Sequence, residues 1–239
     1  MTFEDEHKLA IKARKVRDRE QRQKEILNAA SRIFIEKGFI KTTMYDIALE
    51  VGLSKPTVYQ YFKTKDEIYM SLMIPVIENI NNGLKLIYDR IVENGYAAGA
   101  ELINDMLNSF LKAFYEDPEV FVTFMVGQET GIVRVLDEDF RKKIIKKGRR
   151  GYDLGRMILS SAMNQKLIKK VNIYSLADLI WGMFWGALHI SLIKSQNYNI
   201  ERTFQPTLEL AKSVIINSLT MLNVQRSTHN AGRNNAKFY

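Results

Sequence analysis

A chain of 239 residues with four prolines and thirteen glycines is long enough to bury a sizeable core. The absence of cysteine excludes disulfides, thiol catalysis and thiolate metal sites, and no segment alternates apolar and polar residues as a half-buried strand would. A net charge of +8 speaks of anionic partners rather than of fold. An all-α protein is expected. The opening MTFEDEHKLA holds three acids and no apolar run, so it does not read as a signal peptide.

Residues 1–20 read as a basic, polar extension, helical or frayed. From 12 to 24 there are seven Lys or Arg (Lys12, Arg14, Lys15, Arg17, Arg19, Arg22 and Lys24) against Asp18 and Glu20. Such a run is commonly a solvated helix face, and it can also reach the phosphates or the minor groove of a nucleic acid. A first helix follows, from Ile26 to Phe39, with Ala29, Ala30 and Phe34 on its apolar side.

Residues 42–68, TTMYDIALEVGLSKPTVYQYFKTKDEI, read as two short helices joined by a tight turn and then the start of a longer helix. Thr43 and Asp46 form a capping box, and Ile47, Ala48 and Val51 give the first helix its apolar face. Gly52 closes it, and Ser54 caps a second helix of six or seven residues with Pro56 in its first turn. Val58 and Phe62 face inward, which turns Lys55, Thr57, Tyr59, Gln60 and Tyr61 elsewhere. Hydroxyl, amide and ammonium groups on so short a helix suit the major groove. This is a helix-turn-helix, assigned to 21–68.

The run Thr42-Thr43, Ile47-Ala48, Gly52-Leu53-Ser54, Thr57-Val58-Tyr59, Tyr61-Phe62-Lys63, Lys65 and Glu67 resembles the signature of TetR/AcrR-type transcriptional regulators. The resemblance extends over roughly residues 22–70. It implies a helix-turn-helix DNA-binding domain followed by a helical ligand-binding and dimerisation domain. It also implies a phosphate contact for Lys65, which the free N–H groups of a helix's first turn independently favour. On this reading Lys55, Thr57 and Gln60 meet base edges, and Thr43, Tyr59, Tyr61 and Lys65 position phosphates. Ser54 and Pro56 complete the DNA-binding set.

Thr64 and Glu67 open the next helix near Lys65, which runs towards Tyr88 with a kink expected from Pro75 near residue 71. Helices are then expected at about 97–115, at 119–128 behind the Asp117-Pro118 cap, and at 140–165 behind the acidic turn 137–139. A second basic cluster, Arg141 to Arg150, has seven basic residues in ten. Ser175 and Asp178 would cap a helix to Lys194, and a last helix would span about 204–223. Residues 69–223 thus form the effector-binding and dimerisation domain, and 224–239 a disordered tail. The apolar stretch Leu176 to Ile193 is interrupted by Asp178, His189 and Ser191, and is expected to be a buried helix rather than a membrane span.

Gly182 and Gly186 share a helix face with Ile190, and with Leu208, Ala211, Ile215 and Leu219 they offer a homodimer interface. Packed helices after residue 70 would enclose an apolar effector site, with Phe110, Phe114, Phe121, Phe124, Met125, Met157, Trp181, Phe184 and Trp185 as candidates. The expected partners are a double-stranded DNA operator and a lipophilic effector, an acyl-CoA or an aromatic compound. No catalytic constellation, metal site or cofactor motif is found, so the chain reads as a cytoplasmic, ligand-responsive repressor and not an enzyme. The alternative is a basic helical protein acting at anionic membrane surfaces without sequence-specific DNA binding.

Overall fold

The computed structural model describes residues 3–129, 131–194 and 201–220, and among them every regular element is helical. In chain order these are α1 (Phe3–Lys37), α2 (Met44–Glu50), α3 (Lys55–Tyr59), α4 (Lys65–Val92), α5 (Gly99–Glu116), α6 (Pro118–Glu129), α7 (Glu138–Asn164), α8 (Ile173–Lys194) and α9 (Glu201–Leu219). A 3-10 turn at Ile132–Arg134 lies between α6 and α7. The all-α class is as expected.

The limits of several helices differ from expectation for local reasons. The basic extension and the first helix are one helix of 35 residues. No proline or glycine interrupts Phe3–Lys37, and Lys, Arg, Glu, Gln and Ala dominate it. Asn172, not Ser175 or Asp178, caps α8, its Oδ1 accepting the Ser175 N–H at 3.0 Å. At the end of α9 the backbone N–H of Lys169 donates to the Leu219 carbonyl at 2.9 Å, and its Nζ donates to that of Ser218 at 3.0 Å. The expected tail, 224–239, lies outside the described residues. α4 runs unbroken through Pro75 and past Tyr88 to Val92.

The chain forms two compact units, residues 1–82 with 109–152 and residues 83–108 with 153–239. In the first, α1 packs on α2 and α6 around Ile26, Ala29, Ala30, Ile33 and Phe34. Phe34, Phe39 and Tyr69 form an aromatic cluster with ring centroids 5.1–6.0 Å apart. α1 and α6 are also joined by a buried hydroxyl pair, Ser31 Oγ and Thr123 Oγ1 at 2.6 Å. Phe114, Phe121 and Phe124 meet edge to face, at 5.8 and 5.9 Å.

In the second unit α8 packs on α9, with Phe184 edge-on to Phe204 at 5.6 Å. α8 is long and apolar enough, by length and composition, to cross a membrane. Its buried residues Leu176, Ile180, Phe184, Ala187, Leu188 and Ser191 recur every three or four positions, so only one face is covered. The expected burial of this helix holds for that face alone: Leu179, Ile190 and Ile193 are exposed.

Candidate nucleic-acid interface

Two ion pairs pin α2 against α1 at both of its ends. Lys37 Nζ lies 2.8 Å from Asp46 Oδ1 at the start, and Arg32 Nε lies 2.9 Å from Glu50 Oε1 at the finish. Asp46 also completes the capping box: its N–H donates to Thr43 Oγ1 at 3.1 Å, and its Oδ2 accepts from the Thr43 N–H at 2.8 Å. Lys37 first, and then Thr43, hold the Asp46 carboxyl well below the usual carboxylate range. The turn that follows needs Gly52, whose φ of 68° lies in the left-handed region. The Leu53 N–H then bonds back to the Ala48 carbonyl at 2.8 Å.

Ser54 begins α3, its Oγ accepting the Thr57 N–H at 3.3 Å, with Pro56 in the first turn. α3 is five residues, one or two fewer than the six or seven expected, because it closes at Gln60 with an N–H to the Thr57 carbonyl at 3.1 Å. Val58 and Phe62 are buried beneath it. Ser54, Lys55, Pro56, Tyr59 and Gln60 are exposed, while Thr57 and Tyr61 are half-buried. The Thr57 hydroxyl shares a 2.7 Å hydrogen bond with Ser54 Oγ, and Lys55 Nζ stands 5.8 Å from the centre of the Tyr59 ring. Thr43, exposed at the start of α2, uses its hydroxyl within the cap.

Lys65, expected to position a phosphate, is engaged within the protein. Its Nζ donates to the carbonyls of Phe39 at 2.7 Å, Ile40 at 3.3 Å and Thr42 at 2.9 Å, above the Phe39 ring. An ammonium has three N–H donors, and all three are engaged here. Burial also lowers its pKa from the ordinary lysine value, Asp66 opposing the shift. In this arrangement Lys65 holds the loop after α1 onto the first turn of α4. Thr64 Oγ1 accepts the Glu67 N–H at 3.0 Å as expected, but Glu67 Oε2 takes the N–H of Lys63 at 2.7 Å.

Arg19 is a residue that sequence reading placed only within a charge run. Its Nη2 donates to the Gln60 carbonyl at 3.2 Å, and its guanidinium lies 5.1 Å from the centre of the Tyr61 ring. It thereby ties the extension of α1 to the end of α3. A pairing across 41 residues carries no local signal in the sequence.

The candidate effector residues fall in separate units. Phe110, Phe114, Phe121, Phe124 and Met125 are core residues of the first. In the second, Phe184 is fully buried, Met157 is exposed, and Trp181 and Trp185 are half-buried and stacked at 5.3 Å. Of the expected dimer face, Gly182 and Ile190 are exposed and Gly186 and Ala211 half-buried, and a β-carbon added at either glycine would meet nothing. Leu208, Ile215 and Leu219 differ: they are buried within the chain, in the same unit as α8. The exposed apolar residues of α9 are instead Leu210 and Val214. The larger apolar stripe of that helix serves its own unit, and the smaller one faces out. Among the described residues no cluster of His, Asp or Glu could hold a metal ion.

Residues 26–72 match the family model of bacterial regulatory proteins, tetR family. Among curated proteins the chain is 34% identical over 67 residues to the HTH-type transcriptional activator FasR of Mycolicibacterium smegmatis, covering 28% of this chain and 31% of that one. The matched part thus spans about a third of that relative's length. Two solved structures share the fold. The ketosteroid transcriptional regulator KstR2 of Mycobacterium tuberculosis superposes with a TM-score of 0.65 at 17% identity, over 84% of this chain and 95% of that one. The transcriptional regulator FadR of Bacillus subtilis, in complex with stearoyl-CoA, superposes with a TM-score of 0.55 at 20% identity, over 79% and 97%.

Proposed function

The chain belongs, through its helix-turn-helix head, to the tetR family of bacterial regulatory proteins, and from that premise we propose that it is a ligand-responsive repressor acting as a homodimer on a near-palindromic operator. The observation that carries this reading is α3, which leaves Lys55, Tyr59 and Gln60 open to solvent while Val58 and Phe62 anchor it from beneath. One such helix covers only a few base pairs, so two, related by a twofold axis, are needed to specify a site. The open faces of Gly182, Ile190, Leu210 and Val214 support a bundle formed with a second copy. Lys55, Thr57 and Gln60 read base edges from α3. Ser54, Pro56, Thr43, Tyr59 and Tyr61 position the backbone, and Lys65 braces the head. The site of action is the compartment that holds the DNA, the bacterial cytoplasm.

The effector is a lipophilic small molecule, and release follows from its higher affinity for a core arrangement in which the two recognition helices no longer match the groove spacing. The aromatic and Met side chains at 110–125 and 157–185 support an apolar ligand. The stearoyl-CoA bound to FadR makes a long-chain acyl-CoA the first compound to try. FasR is named an activator, so the sign of regulation is read separately, with a promoter fusion. The test of the whole is to select duplexes from a random library, then titrate the winner with and without stearoyl-CoA. Release at saturating ligand supports the effector class. Operator affinity unchanged by acyl-CoA, with release by unrelated aromatic cations, contradicts it.

A further inference from the structure

α1 carries a feature that the helix-turn-helix does not use. Every side chain from Asp5 to Gln21 is exposed, and Arg19 ties this half of the helix to the end of α3 through Gln60 and Tyr61. An unsupported helix of that length is marginal in water and persists here as the continuation of a packed one. Its charges are ordered. Lys8, Lys12, Lys15, Arg19 and Arg22 recur at steps of four, three, four and three, which places them in a single stripe on one helix face. No acid between residues 8 and 22 falls within that stripe; Glu20 lies on the far side and Asp18, paired with Arg14, beside it, while Arg22 at its end pairs with Glu25 at 2.6 Å. At 1.5 Å per residue the stripe is about 21 Å long, the rise of roughly six base pairs.

The stripe also has a fixed direction. Arg19 belongs to it, and Arg19 is bonded to the Gln60 carbonyl and lies over the Tyr61 ring. The basic face therefore starts at the closing end of α3 and runs away from it. An α-helix is about 10–12 Å across, too wide for a minor groove of about 6 Å, so this segment cannot enter as a flexible arm would. The apolar residues of the extension give no membrane-binding face either, because Ile11 points away from Leu9 and Val16.

We propose that the exposed half of α1 is a second DNA-contacting element, whose face of Lys8, Lys12 and Lys15 lies along the phosphate backbone outside the sequence read by α3. This rests on the reading of the head as a DNA-binding domain and extends its footprint. The element carries no base information; it adds affinity, salt dependence and a requirement for flanking duplex.

The test uses the full chain and two duplexes carrying the library-selected sequence, one trimmed to it and one with two helical turns of random flank on each side. Replacing Lys8, Lys12 and Lys15 together by Ala keeps helix propensity and removes the stripe. On the flanked duplex this triple variant should flatten the plot of log affinity against log salt by about two to three units per protomer, and by less than one on the trimmed duplex. A charge-matched variant of Arg14, Arg17 and Lys24, on the other faces, should change either slope by less than one. Equal slopes for the lysine triple and the unaltered chain overturn the proposal while leaving the helix-turn-helix reading intact. Equal flattening by both triple variants overturns it too, as an effect of bulk charge. Loss of binding to phosphatidylglycerol vesicles without a change on DNA would assign the face to a membrane instead. Failure of the unaltered chain to bind any duplex overturns both readings at once.

Discussion

The hydroxyl of Tyr69 lies against Gly127: a β-carbon built on that glycine would stand 1.9 Å from Tyr69 Oη. The contact joins α4, the helix that leaves the DNA-binding head, to α6 within the same compact unit. Only glycine permits so close an approach. The hydroxyl is buried without a hydrogen-bond partner, and burial pushes its pKa above the ordinary tyrosine value. Tyr69→Phe should therefore raise stability, by about 1 kcal/mol, since it removes a polar group that folding leaves unsatisfied. Gly127→Ala should cost about 1–3 kcal/mol through overpacking. In the double variant the two effects should fail to add by at least about 0.5 kcal/mol, because the clash is largely with the hydroxyl that Phe lacks. Denaturant melts of the four proteins measure this. A Tyr69→Phe variant destabilised by more than 1 kcal/mol would mean that the hydroxyl has a partner.

The Asp46 carboxylate gives the head a defined acid limit. Its folded pKa is depressed by Lys37 and Thr43 below the unfolded value of 3.8, so the unfolded chain binds the proton more readily. Its contribution to stability is complete above about pH 4 and is lost as pH falls towards the folded value. Lys37 behaves oppositely: its pKa is raised above 10.5 by Asp46, and its contribution is lost only as pH rises through that folded value. The unaltered chain should exceed Asp46→Asn in urea stability by a constant margin from pH 5 to 9, and the margin should shrink below about pH 4. A margin that grew on acidification would have the wrong sign for this pair.

Substitutions in the head should separate three kinds of contact. Gln60→Ala should alter sequence preference by about 1–3 kcal/mol at the base it reads, and leave random duplex little affected. Lys55→Ala should weaken all duplexes and flatten the salt slope if its ammonium meets a phosphate, or shift preference if it meets a base edge. Lys65→Ala should lower the melting temperature and operator affinity together with no change in salt slope, because its ammonium is engaged by the carbonyls of Phe39, Ile40 and Thr42. A flattening of about one unit for Lys65→Ala, with stability unchanged, would return it to the phosphate role.

The outward and inward residues of α9 should respond differently. Leu210→Asp and Val214→Asp place charge on exposed positions and should dissociate the dimer and weaken operator binding without lowering the stability of the protomer. Leu208→Ala empties a fully buried site and should cost about 2–5 kcal/mol. Sedimentation and melts distinguish them. A dimer untouched by both aspartates would move the interface off this face.

Much of the head was legible because its signals are local. Thr43 with Asp46, Gly52, and Ser54 with Thr57 lie within a few residues of one another, and caps and turns follow from such neighbours. The helical class was equally plain from periodicity. The missed features are contacts between distant parts of the chain: Arg19 on Gln60, Lys65 on the loop after α1, and Tyr69 on Gly127. The register of α9 misled for a different reason. Leu208, Ile215 and Leu219 form its stronger apolar stripe, and periodicity identifies such a stripe without saying whether its own unit or a second copy covers it.

The most direct test of the central claim is selection from a random duplex library by the full chain, followed by titration of the enriched sequence and a scrambled one across salt concentrations. A near-palindrome with half-sites about one helical turn apart should be enriched and bound far more tightly than the scrambled duplex, with Gln60→Ala changing the enriched bases. Enrichment of no sequence, with both duplexes bound alike at every salt concentration, would contradict it.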